Sequence, residues 1–187
     1  MRSVDDTLIT VLWGVIGVTW LTLATRTKRT VERRGKTVSI FLAAALLYSV
    51  ARAVVPARDW AHPLWLASPV LAAAGVALMA AGVGFAMWAR LTIGANWSGA
   101  VVLKQDHELI VRGPYALARH PIYTGFFAMF AGSTVVTGEA AVLVGSVIAT
   151  VALVAKSRVE ERLMLETFPD QYPQYRRRVK AIVPFVI

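Results

Sequence analysis

The chain alternates long, almost uncharged apolar runs with short, strongly charged segments, and within the runs no polar stripe recurs at helical spacing. A helix that is apolar all round needs apolar surroundings on every side, and about 20 such residues cross a hydrocarbon layer roughly 30 Å thick. The first run is Thr7–Thr25, TLITVLWGVIGVTWLTLAT, followed by the basic connector RTKRTVERRGK. A second covers Thr37–Val55, is interrupted late by Arg52 and stops at Pro56. Leu64–Ala89 is the third and longest, so it tilts or extends past the hydrocarbon. Beyond a polar segment, Arg90–His120, lie Pro121–Thr137 and Ala140–Ala155, parted only by Gly138 and Glu139, which predicts a tight helical hairpin. The tail, Lys156–Ile187, reads as a charged helix, KSRVEERLMLETF, and then a stretch containing Pro and Tyr. The pattern predicts an all-α, polytopic integral membrane protein with about five transmembrane helices.

Composition supports that reading, with 57% hydrophobic residues and a mean hydropathy of +0.58. Repeated spans argue against a cleaved signal peptide as the explanation of the first one. Cysteine is absent, which rules out disulfides, thiolate zinc sites and cysteine nucleophiles. The net charge of +9 would suit nucleic acid, but no basic stripe falls on a soluble domain, so nucleic acid is not an expected partner. Basic residues beside spans instead set topology. Grouping RTKRTVERRGK, the Arg90–His120 segment and the tail on one face gathers every Lys and Arg except Arg2, Arg52 and Arg58. That face is expected to be cytoplasmic, with the N-terminus outside.

Candidate chemistry concentrates on that face. The stretch NWSGAVVLKQDHELIVRGPYALARHPIY, Asn96–Tyr123, is long and polar for a plain connector, and loops of that length without helical period are usually functional. Gly113-Pro114 predicts a turn, and Tyr115–His120 a short helix ending before Pro121. If a helix starts at Pro121, His120 and Tyr123 share a face of its first turn. Interfacial anchoring by Tyr and Arg fits the same spacing. Glu160 and Glu161 follow the fifth run closely enough for one of them to be partly desolvated, where a carboxylate requires a cation partner; a solvated helix with Lys156–Glu160 and Arg158–Arg162 neighbours is the plain alternative. Gly82 and Gly84 in GVGFAMW lack the third glycine of a dinucleotide loop and suit close helix packing. Only His62, His107 and His120 are available as histidine ligands, His62 on the opposite face, so no metal is expected. A carboxylate, a histidine, an arginine and tyrosines converging at a bilayer surface suit an amino-acid-like zwitterion, and an aromatic face tolerates a sulfonium. S-adenosylmethionine has both features.

HELIVRGPYALARHPIYTG, an apolar hairpin and then EERLMLETFPDQYPQYRRRV with a following Pro closely resemble the isoprenylcysteine carboxyl methyltransferase family, grouped with the phospholipid N-methyltransferases. The match covers about Asn96–Pro184. The resemblance implies methyl transfer from S-adenosylmethionine in a single membrane-embedded domain, 1–187. Two N-terminal spans occupy 1–63, and a methyltransferase core at 64–187 builds a cytoplasmic cofactor pocket from its C-terminal half. On this likeness the cofactor residues are His107, Glu108, Leu109, Ile110, Tyr115, His120, Pro121, Ile122, Tyr123, Glu160 and Glu161. Lys156 stands where prenylcysteine members carry a substrate-binding arginine, and a lysine neutralises a carboxylate without the bidentate fork.

Direct SN2 displacement follows from the same likeness, with Lys156 or Arg158 orienting the acceptor; Arg119 is open to bracing the turn, touching the acceptor or anchoring the interface, and Asn96 and Trp97 to acceptor contact or interfacial packing. An isoprenylcysteine-like carboxylate is the favoured acceptor, with a small thiol or a phospholipid amine as alternatives. Cofactor would enter from water and a lipophilic acceptor from the bilayer. A non-enzymatic membrane or lipid-binding protein on the same scaffold is the competing class; it would not depend on Glu160 and His120.

Overall fold

A computed structural model describes residues 2–33, 37–60, 63–66, 68–100, 102–105 and 108–183. His107, His62 and Pro184 lie outside the described residues. In chain order the elements are α1 (Arg2–Ala24), β1 (Thr30–Arg33), α2 (Thr37–Val54), the single turn α3 (Ala57–Trp60) and α4 (Pro69–Ile93), which runs into a 3-10 turn at Gly94–Asn96. β2 (Val102–Lys104), a second 3-10 turn at Gly113–Ala116, α5 (Pro121–Thr137), α6 (Ala140–Thr167) and α7 (Gln171–Arg178) follow.

Each apolar run forms a helix. Three stretches, Asp5–Ala24, Pro69–Asn96 and Ala140–Thr167, are long and apolar enough to cross a membrane. α2 and α5, with 18 and 17 residues, rise about 27 and 26 Å at 1.5 Å per residue, slightly less than the hydrocarbon thickness. α4 begins at Pro69 rather than Leu64 because Ser68 is extended and proline suits the first helical position, where its missing N–H costs nothing. It ends at Gly94, whose positive φ of 55° turns the chain out of the helix.

Two features depart from expectation. The fifth run and the charged helix are one continuous α6 of 28 residues. No Gly or Pro interrupts Lys156–Phe168, so the helix propagates until the residue before Pro169. The second departure is a small antiparallel ribbon in an otherwise helical fold: β1 pairs with β2, Thr30 opposite Lys104 and Arg33 opposite Val102. It joins the first basic connector to the long polar segment, so these two lie together at one end of the molecule.

Little hydrophobic force draws helices together in lipid, so close contact depends on small side chains. Gly75 and Gly82 on α4 meet Gly132 and Gly125 on α5 with the two helices antiparallel: a Cβ at Gly82 would stand 2.6 Å from the Gly125 carbonyl, and one at Gly132 the same distance from the Gly75 carbonyl. Met79 and Met129 are fully buried beside this seam. Gly82 therefore packs as expected, whereas Gly84 faces open space. α1 leans on α5 through Trp13 and Trp20, whose rings meet Phe126 and Phe130. At the hairpin Gly138 takes φ 62°, caps α5 by donating its N–H to the Thr134 carbonyl, and leads directly into α6.

Candidate active site

Because α5 and α6 are joined at Gly138, the first turn of α5 and the charged part of α6 come together at the other end of the hairpin. His120 is the residue before α5, and its ring lies flat over Tyr123, with centroids 5.4 Å apart and planes 3° apart. The Tyr123 hydroxyl stands 2.8 Å from both Glu160 oxygens and accepts a 2.6 Å hydrogen bond from Lys156 Nζ. Lys156, one turn before Glu160 on α6, is also 2.8 Å from Glu160 Oε1. His120 Nδ1 lies 3.5 Å from Glu160 Oε2, and its Nε2 lies 3.4 Å from Glu161 Oε1, too poorly aligned for a hydrogen bond.

Glu161 belongs to a second cluster. Arg119 Nε and Nη2 both donate to Glu161 Oε1, at 2.9 and 2.5 Å, while Nη1 donates to the Val179 carbonyl. The chain beyond α7 returns alongside this turn, its Lys180 and Ala181 carbonyls accepting from the Arg119 and His120 N–H groups at 2.8 Å. Thr124 Oγ1 adds a bond to the Ile182 carbonyl. Arg119 thus braces the start of α5, α6 and the returning tail.

Beside the clusters is an open cavity with about 890 Å³ of empty space, mouth included. α4 and its 3-10 turn contribute Ile93, Asn96 and Trp97; the connecting segment contributes Glu108, Leu109, Ile110 and Tyr115. Arg119, His120, Pro121, Ile122, Tyr123 and Glu160 line the rest together with α6 and α7. Most of the expected site residues are therefore brought together. Glu108 reaches the cavity, but its side chain is 68% exposed and lies 3.5 Å from Lys28. Lys156 stands behind Tyr123, only 4% exposed, and Glu161 faces Arg119. Arg158 is exposed and does not line the cavity.

Leu163, Met164, Tyr172 and Tyr175 also line it and were missed by sequence reasoning. The first two follow Glu160 by three and four positions, a same-face signal available in the sequence. The tyrosines share a face of α7 and are buried among exposed arginines; Tyr175 donates to the Tyr115 carbonyl at 2.5 Å, pinning the 3-10 turn to the cavity.

Burial pushes the phenols of Tyr115, Tyr172 and Tyr175 up, so all three stay neutral. Burial alone would lower the His120 pKa, but Glu160 and Glu161 outweigh it and raise it above the ordinary value, favouring an imidazolium. Two buried atoms of cavity-lining residues, Asn96 Oδ1 and His120 Nε2, have no hydrogen-bond partner among the described residues. Among the described residues no group of three His, Cys, Asp or Glu is placed to hold a metal ion.

A family model for phospholipid methyltransferases matches residues 70–171, from the start of α4 to the start of α7. The chain belongs to that family. The match covers the whole glycine-packed hairpin and both acidic residues, which bears out the resemblance drawn from RHPIYTG and EERLMLETF. Among curated relatives, the protein-S-isoprenylcysteine O-methyltransferase of Schizosaccharomyces pombe is 32% identical over 101 residues, covering 52% of this chain and 43% of that protein. Methanethiol S-methyltransferase 1 of Bradyrhizobium diazoefficiens is 35% identical over 71 residues, covering 38% of this chain and 24% of that protein. The chain therefore spans less than half the length of these relatives. A solved structure of the eukaryotic intramembrane Ras methyltransferase, isoprenylcysteine carboxyl methyltransferase, shares the fold with a TM-score of 0.52 at 22% identity, covering 80% of this chain and 52% of that one.

Proposed function

We propose that the chain is an integral-membrane, S-adenosylmethionine-dependent methyltransferase with about five spans, its N-terminus outside and its cavity on the cytoplasmic side. The observation that carries this reading is the charge set around one cavity: a carboxylate, Glu160, held by Tyr123 and Lys156, beside a histidine whose Nε2 stands 3.4 Å from Glu161 without a hydrogen bond among the described residues. Such a set suits a zwitterion. Glu160 is the ammonium acceptor, although its oxygens already serve Tyr123 and Lys156, so the ammonium shares or replaces those bonds. His120, whose pKa Glu160 and Glu161 raise against the effect of burial, presents Nε2 to the carboxylate. Aromatic surfaces from Trp97, Tyr115 and Tyr175 offer faces to a sulfonium.

Bound S-adenosylmethionine supplies an electrophilic methyl group. What the protein adds is alignment of the acceptor and exclusion of water. Lys156 is placed to hold Glu160 ionised and in position, instead of orienting the acceptor as its place in the sequence suggests, and Arg158 has no role in the cavity. The acceptor is a lipophilic or small nucleophile, an isoprenylcysteine-type carboxylate first, a thiol or phospholipid amine next. Asn96 and Trp97 are its contacts.

Calorimetry in detergent tests the reading. The intact chain binds S-adenosylhomocysteine, and Glu160→Gln weakens that binding at least tenfold, about 1.4 kcal/mol. No binding by the intact chain sinks the enzyme reading. Radiolabelled methyl transfer into a whole-cell lipid and small-molecule extract identifies the acceptor.

A further inference from the structure

Arg90 is the largest fully buried side chain, 1% exposed, and the cluster around Glu160 does not use it. A charge is costly in such a place unless its donors are satisfied. Its partners are carbonyls and a ring: Nη1 donates to the Gly94 carbonyl at 2.9 Å, Nη2 to the Leu23 carbonyl at 2.8 Å, and the guanidinium lies 4.5 Å from the centroid of the Trp97 ring, while Nε makes no hydrogen bond among the described residues. Leu23 lies in the last turn of α1, and Gly94 is where α4 gives way to its 3-10 turn. One planar group therefore ties the end of α1 to the end of α4 and to the indole just beyond. A second tie runs parallel to it, from the Lys28 N–H to the Ala95 carbonyl at 2.9 Å. Trp20 of α1 meets Trp97 edge-on, 6.3 Å between centroids.

The segment fixed in this way carries Asn96 and Trp97, both on the cavity wall, and Asn96 Oδ1 is buried without a hydrogen-bond partner among the described residues. An orphaned carboxamide in a rigid aromatic wall is costly for the protein alone and useful to a ligand that satisfies it. The Glu160 cluster stands on α5 and α6 and shares no hydrogen bond with Arg90.

We propose that Arg90 is a positioning residue for the methyl acceptor: by clamping Leu23, Gly94 and Trp97 it fixes the Asn96–Trp97 wall against which the acceptor rests. This rests on the methyltransferase reading for its acceptor, but not for the clamp itself. A lysine supplies charge without the planar fork that reaches two carbonyls and stacks on an indole, so Arg90→Lys separates the clamp from the charge. Trp97→Phe removes the stacking partner while leaving Arg90 in place.

Three measurements on the purified full chain decide it. Hydrogen exchange of peptides covering 23–29 and 93–98 speeds up at least tenfold in Arg90→Lys, while peptides within 121–137 keep wild-type protection. S-adenosylhomocysteine affinity stays within twofold. With methanethiol and N-acetyl-S-farnesylcysteine as probe acceptors, the KM of whichever is methylated rises at least fivefold with kcat within twofold, and Arg90→Lys combined with Trp97→Phe does no more damage than the worse single change. Unchanged exchange at 23–29 and 93–98 overturns the clamp. Cofactor affinity and kcat falling together overturn the acceptor role, because they mark general loosening. If neither probe is methylated, local loosening with retained cofactor affinity supports the proposal and any other pattern overturns it. Absence of S-adenosylhomocysteine binding in the wild type counts against the enzyme reading alone, since the exchange result does not depend on it.

Discussion

The Tyr123 hydroxyl lies among Lys156 Nζ and both oxygens of Glu160, so each member of this group is satisfied only while the other two stay in place. Lys156→Met leaves a mostly buried carboxylate with His120, 3.5 Å away, as its remaining cationic neighbour. The loss expected is on the order of 2–3 kcal/mol, below the 3–5 typical of a fully buried pair because the Glu160 side chain keeps 23% exposure. Thermal unfolding in detergent measures it, and Lys156→Arg should recover part of the loss. A result within 0.5 kcal/mol of wild type, the range of an ordinary surface change, would show that Glu160 does not depend on Lys156. His120 adds a pH dependence of definite sign. Its folded pKa is raised from 6.5 by Glu160 and Glu161 against the opposing effect of burial. Its stabilising contribution is therefore complete below about 6.5, the unfolded value, and is lost as pH rises through the folded value. Unfolding temperature should decline as pH rises from 6.5 through the folded value, and His120→Gln should flatten that decline.

At the level of elements, the α4–α5 seam holds the site together by backbone contact. A Cβ at Gly125 would meet the Gly82 carbonyl at 2.6 Å and the Ala86 Cβ at 2.7 Å, and neither neighbour is the far end of a flexible chain. Gly125→Ala should destabilise the chain by about 1–3 kcal/mol through overpacking and weaken S-adenosylhomocysteine binding by tilting the first turn of α5. Gly84→Ala, where nothing lies within 4 Å, is the matched control and should leave both unchanged; equal effects in a thermal-shift assay would mean the seam is not where the packing matters. The glycine spacing was visible in the sequence, as were the limits of α5, where Pro121 and Gly138 punctuate strongly. α6 was cut too short because its charged residues mark the membrane boundary, while the backbone, with no Gly or Pro before Pro169, has no reason to stop there. The β1–β2 ribbon was not legible: each strand is too short to show alternation, and its partner lies on the far side of three helices, α2, α3 and α4, in sequence. Tyr172 and Tyr175 were hidden similarly, since only the packing of α7 against the second 3-10 turn brings Tyr175 onto the Tyr115 carbonyl.

Across the whole molecule the basic residues, the ribbon and the site fall at the same end, while Gly138, Trp65 and Pro63 meet at the other, where the Leu64 N–H bonds the Gly138 carbonyl at 2.7 Å. Retention of Lys and Arg on the cytoplasmic side then predicts that the site end faces the cytoplasm, as the proposed function requires for a water-soluble methyl donor. The chain contains no native cysteine, so single introduced thiols report orientation without background. Leu66, 89% exposed at the end away from the site, and Arg177, exposed on α7, are separated by α4, α5 and α6. Three crossings put two positions on opposite sides of a bilayer. In intact cells a membrane-impermeant maleimide should label Leu66→Cys and spare Arg177→Cys, and permeabilisation should make both reactive. The inverse pattern would place the site outside and refute the charge argument. Labelling of both from the same side would mean that one of the three helices does not cross; α5, with 17 residues, is the shortest and the first to examine.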